Sequence, residues 1–339
     1  MASASQRLNS GKFNYAKYGY MFIAPFFIAY ILFSAFPLIY TFVLGFFDSK
    51  GIGNFVGLKN YQDLLLGTGG LSSQAVQEKF FIALGNTFEI WLLNFLPQIA
   101  LSLLLAVWFT DIKLKIKGKG FFKVVMYMPN IITAASVAAL FLRLLGENNT
   151  APVNSILMNL GLVDSPVKFV LDGEIKKKVI SFIQIWMWYG NTMIYLMAGI
   201  MGISPSLFEA ANIDGANSRQ VFTKVTVPLL KPILLYTVIT SMIGGMQMFD
   251  IPLLFRNGDG INEDSKTIAI FIYERYNSAI TNYGQSGAAS VILYIITGIM
   301  GIFVFRIQRD NEAHEDKKRL KKQMKQAKLK AKGRGGLDI

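Results

Sequence analysis

Six stretches of the chain carry almost no charge. Gly19–Phe47, Val124–Leu142, Val179–Phe208, Ile233–Phe249 and Tyr276–Phe305 have none, and Phe80–Thr110 has Glu89 alone. Between them, charged and polar residues return in bursts. A run of about 20 predominantly apolar residues is long enough to cross a bilayer as a helix. Helices also satisfy their own backbone polar groups, as hydrocarbon requires. The pattern predicts an all-α integral membrane protein with six transmembrane helices, at about 19–47, 80–110, 124–142, 179–208, 229–250 and 276–305. The longer runs need tilt or interfacial overhang. The first run is too long for a signal-peptide core and contains Pro25 and Pro37, so it is read as a retained helix. The chain then divides into an N-terminal segment 1–18, a membrane domain 19–305 and a basic tail 306–339.

Composition agrees with this pattern. Hydrophobic residues make up 53% and charged residues 16% of the 339, against about 45–50% and about 25% in soluble domains. Charge also orients the chain, because Arg and Lys accumulate on the cytoplasmic side. The N-terminal segment, 111–123, 209–232 and the tail hold 23 of the 34 basic residues, and the alternate loops 48–79, 143–178 and 250–275 hold 11. Without the tail the two sides are equal, but the first set of loops is shorter and so denser in charge. Both termini and the 209–232 loop are therefore placed in the cytoplasm.

Several function classes fall away on the same grounds. The net charge of +13 sits largely in the tail. A basic segment directly after a span reads as an anchor to membrane lipid headgroups. Without interleaved aromatics it is not a nucleic-acid face. The lone His314 lies among its charges and is read as solvated. With no cysteine there is no disulfide framework, thiol catalyst or cysteine metal site. No clustered acid–base or metal set marks a membrane enzyme. Gly118-Lys119-Gly120 is only a fragment of the GxxxxGK[ST] phosphate loop. Catalytic residues, metal and cofactor are all expected to be none.

The segment EAANIDGANSRQVFTKVTVPLLKP, from Glu209 to Pro232, separates the fourth and fifth runs. Phe208–Ala211 is expected to carry the fourth run onward into the cytoplasm. Ala211 and Gly215 lie one turn apart on a face without bulk, which allows close approach of another backbone. Gly215 suits the left-handed position that ends a helix. Ser218 is then expected to cap a second short helix with Val221, Phe222 and Val225 on its apolar face. Pro228 is expected to stop it, and Pro232 to open the next span. Two such short helices bury too little area alone, so they should dock into something.

This segment resembles the "EAA" loop of importer-type ABC permeases, in which Glu-Ala-Ala precedes a glycine and an apolar stretch ending in proline. The matching residues are Glu209, Ala210, Ala211, Asp214, Gly215, Ala216, Phe222, Val225 and Pro228. The resemblance implies that this loop is the coupling helix seated in a groove of a cytoplasmic ATPase. FVGLKNYQDLL, NTFEIWLLNFLPQIALSLLLA, VNSILMNLGL and YGQSGAASVILYIITGI resemble segments of the maltose-type (MalF-like) sugar permeases. The TxGGP segment of that family is altered here to Arg256, Asn257, Gly258, Asp259 and Gly260. The family implies a type I ABC importer permease fold in a bacterial cell membrane. It also implies a second homologous permease subunit, two ATP-binding subunits and an external solute-binding protein.

Sugars are held by polar groups and aromatic faces in a mostly apolar site. Gln184, Trp188, Asn191 and Tyr195 fall on one helical stripe, with steps of four, three and four. By position, the resemblance places sugar contacts near Gln184, Trp188, Asn191, Gly245, Gln247 and Met248. Tryptophan and tyrosine near a span end are also common as interfacial anchors. Glu89 is either a substrate or gating residue or an interfacial or interhelical polar contact near the outer end, the second being favoured, and Asp250 is read as structural. A permease for a polyol, glycerol phosphate or acidic oligosaccharide would show the same spans and loop. An ion-coupled secondary transporter would want internal repeats and mid-membrane charges, of which only Glu89 is found.

Overall fold

The computed structural model describes residues 16–48, 51–111, 114, 116–255, 263–277 and 281–334, and beyond Ile307 it describes a side chain only at Met324. The segment 1–15, the altered residues Arg256–Gly260 and the His314 side chain thus lie outside the described residues.

The first run is helical throughout, as α1 (Ala16–Tyr30), a π turn (Ile31–Ala35) and α2 (Phe36–Leu44). The π turn precedes Pro37, which offers no N–H to the carbonyl four residues back and crowds it with its ring. Widening the preceding turn relieves both, and the Phe36 N–H reaches Ile31 O instead. After α3 (Lys59–Leu65), α4 (Leu71–Thr110) runs 40 residues, which is about 60 Å. It overhangs the predicted 80–110 span by two turns and more at its N-terminal end.

The third run departs from the expectation of one span at 124–142. It forms α5 (Lys119–Tyr127), a 3₁₀ turn (Met128–Ile131) and α6 (Ala134–Leu144), bent by 93°. Pro129 starts the tight turn, and Thr133 caps α6 by accepting the Ser136 N–H. The fourth run is also bent. Following α7 (Pro152–Asn159), α8 (Gly173–Met201) ends at Gly202, and α9 (Pro205–Ile213) sets off at 71° to it. The segment holding Glu209–Ala211 is therefore a separate helix and not the expected continuation of the fourth span. Pro205 enforces the break, since proline fits the first turn of a new helix and disfavours helix in the residue before it.

Next come α10 (Ser218–Val221), a π turn (Phe222–Thr226), α11 (Val227–Leu229), α12 (Lys231–Met246), α13 (Asp250–Leu254), α14 (Ile268–Asn277) and α15 (Tyr283–Arg334). The sixth span begins at Tyr283, not at Tyr276, because Tyr276 and Asn277 end α14. Among the described residues, four helices are long and apolar enough to cross a membrane, and the number of candidate spans rises to six if each bent pair counts as one. The chain is a multi-pass, all-α membrane protein.

α4 and α8 form the central pair. Ile90 on α4 packs with Ile180 and Ile183 on α8 and with Met248 and Phe255 beyond α12. Leu64, Phe80, Phe271 and Ala288 make a second cluster around the N-terminal part of α4, and Phe109, Leu196 and Leu230 a third toward the 209–232 loop. Between spans, lipid is as apolar as leucine, so these contacts gain packing more than transfer energy, and polar ties matter correspondingly.

One tie resolves Glu89. Its Oε2 lies 2.7 Å from Lys177 Nζ, which also holds Glu174 Oε1 at 2.6 Å, while the lysine side chain is 7% exposed. Glu89 is thus an interhelical contact joining the middle of α4 to the start of α8. Lys177→Met leaves two water-exposed carboxylates near each other with no counter-charge, and is expected to cost about 1 kcal/mol. Glu89→Gln leaves the lysine paired with Glu174 and should cost less. Thermal unfolding of the detergent-purified variants checks this order, and an equal or reversed order contradicts the tie.

Candidate functional site

The fifth span is broken in the interior. α12 ends after Gly244-Gly245-Met246, Gln247 leaves helical geometry, and α13 resumes at Asp250. A broken span exposes backbone groups that something must satisfy. Thr267 Oγ1 does so at 2.8 Å from Met248 O, and Thr267 is fully buried. Beside the break lies an open-sided cavity of about 490 Å³ lined mainly by α4, α8 and α12, within the size range of small-ligand sites, about 300–1,000 Å³.

Gln184, Trp188, Asn191, Gly245, Gln247 and Met248 all line this cavity. They do not contribute alike. The amides of Gln184, Asn191 and Gln247 make no side-chain hydrogen bond to the described residues, and Trp188 is 46% exposed. These four side chains are presented to the space. Met248 is 6% exposed and packs into the core with Ile90 and Ile183, so it forms wall more than contact. Gly245 has no side chain to present, and Trp91 occupies the space beside it. Tyr195, on the expected stripe, also lines the cavity and packs edge-on against Tyr236 at 6.0 Å. Asp250, read as structural, lies on the cavity wall as the first residue of α13. No lysine, arginine or histidine is among the described lining residues.

Sequence reading overlooked the α4 wall. Trp91, Asn94 and Gln98 line the cavity, and Thr87 and Ser102 extend the same helical stripe above and below them. Gln98 Nε2 donates to Thr192 Oγ1 at 2.8 Å, and the Trp91 indole N–H donates to Ser241 Oγ at 3.2 Å. The stripe was available in the sequence as polar residues recurring every three or four positions in an otherwise apolar span.

At one end of the molecule, α9 and the turn after it stand clear. Glu209, Ala210 and Asp214 are exposed, Leu207 is 45% exposed and Ile213 is 86% exposed. Ala211 and Ala216 are half-buried. Gly215 has φ +74, the left-handed region that a side chain resists. Its N–H donates to Asn212 O at 3.1 Å, and the Ala216 N–H donates to Ala211 O at 2.9 Å, the paired bonds of a glycine-terminated helix end. The second helix is capped by Asn217, not by the expected Ser218, in a reciprocal box with Gln220. Pro228 does not stop it either. A π turn over Phe222–Thr226 absorbs the proline, as at Pro37, and the chain stays helical to Leu229 before turning at Leu230. Phe222, Val225 and Pro228 are half-buried along this segment.

Bent and broken helices around a cavity lined by amides, aromatic rings and a single carboxylate, with an exposed helix–turn at one end, define a membrane permease. The family described as "Binding-protein-dependent transport system inner membrane component" matches residues 87–311. The chain belongs to that family. It is 30% identical over 290 residues to the arabinooligosaccharides transport system permease protein AraP of Bacillus subtilis (strain 168), covering 85% of this chain and 87% of that one. It is 28% identical over 313 residues to the lactose transport system permease protein LacF of Rhizobium radiobacter, covering 92% and 100%. Its fold is that of a chain in the crystal structure of a bacterial ABC transporter involved in the import of the acidic polysaccharide alginate. The TM-score is 0.74 at 23% identity, covering 86% of this chain and 95% of that one.

Proposed function

We propose that the chain is a transmembrane subunit of an ATP-driven importer that carries a neutral sugar or oligosaccharide into the cytoplasm. An external solute-binding protein delivers the sugar. A second, homologous permease subunit completes the pore, and two cytoplasmic ATP-binding subunits hydrolyse ATP, so this chain is not itself the enzyme. The reading places it in a bacterial inner membrane with both termini cytoplasmic, and it assigns 306–339 as a basic tail at the lipid headgroups. Glu209, Ala210, Ala211, Asp214, Gly215, Ala216, Phe222, Val225 and Pro228 form the element that docks on the ATPase. Gln184, Trp188, Asn191, Gly245, Gln247 and Met248 belong to the sugar path.

One observation carries the choice of substrate. The cavity offers unpaired neutral amides and tryptophan faces, one carboxylate and, among the described residues, no cation. Neutral amides both donate and accept, as sugar hydroxyls require. A uronate or phosphate would meet Asp250 without a compensating lysine or arginine, and burying an unpaired anion is costly. The relatives whose names specify arabinooligosaccharides and lactose lend weight to the same choice.

Alternating access is then a two-state equilibrium biased by ATP and by the loaded binding protein. The 71° turn at Pro205 makes α9 a lever attached to α8, which carries Gln184, Trp188 and Asn191. The test is uptake by the assembled transporter in proteoliposomes with ATP inside, offered lactose, maltotriose, arabinotriose and trigalacturonate. ATP-dependent uptake of a neutral saccharide is expected. Uptake of trigalacturonate alone overturns the choice of a neutral substrate, and uptake of none of the four overturns the sugar reading.

A further inference from the structure

We infer that Trp91 is a specificity-determining wall of the cavity, and that Gly245 and Ser241 are positioning residues that seat its indole there. The inference rests on the sugar reading above for what the wall selects, but the seating stands on geometry alone. A Cβ built on Gly245 would stand 2.2 Å from Trp91 Cδ1 and 2.7 Å from Cγ. No side chain fits at 245 while the indole keeps its place. Gly244, next in the chain, has nothing within 4 Å of its own missing Cβ. The pair of glycines is therefore not interchangeable. Gly245 makes room for the ring, and Gly244 faces open space.

Two further contacts fix the ring. Its N–H donates to Ser241 Oγ, one turn before Gly245 on α12. Phe95, one turn on along α4, stacks on it with centroids 5.5 Å apart and planes 13° from parallel. Trp91 is half-buried and lines the same cavity as Gln184, Trp188 and Asn191. A large aromatic surface locked from behind and from one edge is a rigid wall. Against it a pyranose can lay its apolar C–H face, while the α8 amides and Gln247 engage hydroxyls on other sides. The arrangement selects rings with a continuous C–H face over flexible polyols of similar size.

Seating and selection have separate readouts. With Trp108, Trp186 and Trp188 changed to phenylalanine, Trp91 is the remaining tryptophan of the four. In that background, Gly245→Ala is expected to raise acrylamide quenching of Trp91 and shift its emission, and Gly244→Ala to change neither. Equal behaviour of the two alanine variants overturns the seating. For selection, the saccharide taken up by the wild-type assembly is compared with sorbitol as competitor. Trp91→Leu and Gly245→Ala are each expected to raise KM for that saccharide about tenfold. Trp91→Phe should retain most of the affinity. Because Gly245 acts through Trp91, the double variant should be no worse than Trp91→Leu alone. Additive KM increases overturn the positioning role, and an unchanged KM with Trp91→Leu overturns the selecting wall. If the wild type takes up no saccharide, the sugar reading and the selection fall together, and quenching still decides the seating.

Discussion

A Gly215→Pro chain is expected to reach the membrane in normal amount and to lose ATP-driven uptake by about a hundredfold or more. Gly215 sits at φ +74, whereas proline holds φ near about −65°. The substitution also deletes the N–H that bonds Asn212 O. The turn between α9 and the capped helix at Asn217 must then open, at a cost of about 3 kcal/mol, which is about a hundredfold in the population of the docking geometry. Nothing lies within 4 Å of the Gly215 Cβ position, so the defect is conformational and not a clash with the spans. Gly215→Ala fits the space but not the angle, and should be milder. Glu209→Lys leaves the turn intact and reverses an exposed charge, so it should also uncouple without unfolding. Membrane abundance, uptake and ATPase rate, measured together, check this. Wild-type uptake by Gly215→Pro and Glu209→Lys at normal abundance contradicts the coupling role.

The second large effect is expected in the cavity. Gln184→Leu combined with Asn191→Leu should raise the KM for the transported saccharide by about a hundredfold, since each lost hydrogen bond in a desolvated site costs about 1–3 kcal/mol. The same change should leave thermal stability nearly untouched. Neither amide bonds to another described residue, so the folded chain forfeits no internal hydrogen bond. That separates these residues from Gln98, whose bond to Thr192 links α4 to α8. Gln98→Leu should lower the melting temperature as well as uptake. A melting temperature lowered equally by both sets would make the α8 amides structural, not substrate-facing.

Local signals carried most of the fold. Charge-free runs located the spans because lipid excludes charge along their whole length. The turn at Gly215 was readable because a left-handed residue, flanking alanines and nearby prolines are all short-range features. The bends were not read. A charge-free run has the same composition whether it crosses straight or folds by 93° at Pro129–Thr133. The Ser-Pro step at Ser204-Pro205 and the Asn217–Gln220 box were local signals that rival ones nearby obscured.

The cavity was legible by halves. The α8 stripe announced itself through helical spacing. The α4 stripe of Thr87, Trp91, Asn94, Gln98 and Ser102 has the same spacing but was overshadowed by Glu89, whose charge drew the functional suspicion. The dependence of Trp91 on Gly245 spans more than 150 positions of sequence and exists only in the packed structure. No pattern within either helix reveals it.

Coupling to an ATPase requires a partner over Ile213, 86% exposed on the helix bearing Glu209. The natural chain contains no cysteine, so Ile213→Cys supplies a single thiol. A short thiol-to-amine cross-linker applied to native membranes, followed by mass spectrometry of the product, names the neighbour. The predicted product joins this chain to a polypeptide bearing a GxxxxGK[ST] phosphate loop, in a yield that ATP changes. A product with another copy of this chain, or none with any nucleotide-binding polypeptide, contradicts the coupling of this helix to an ATPase.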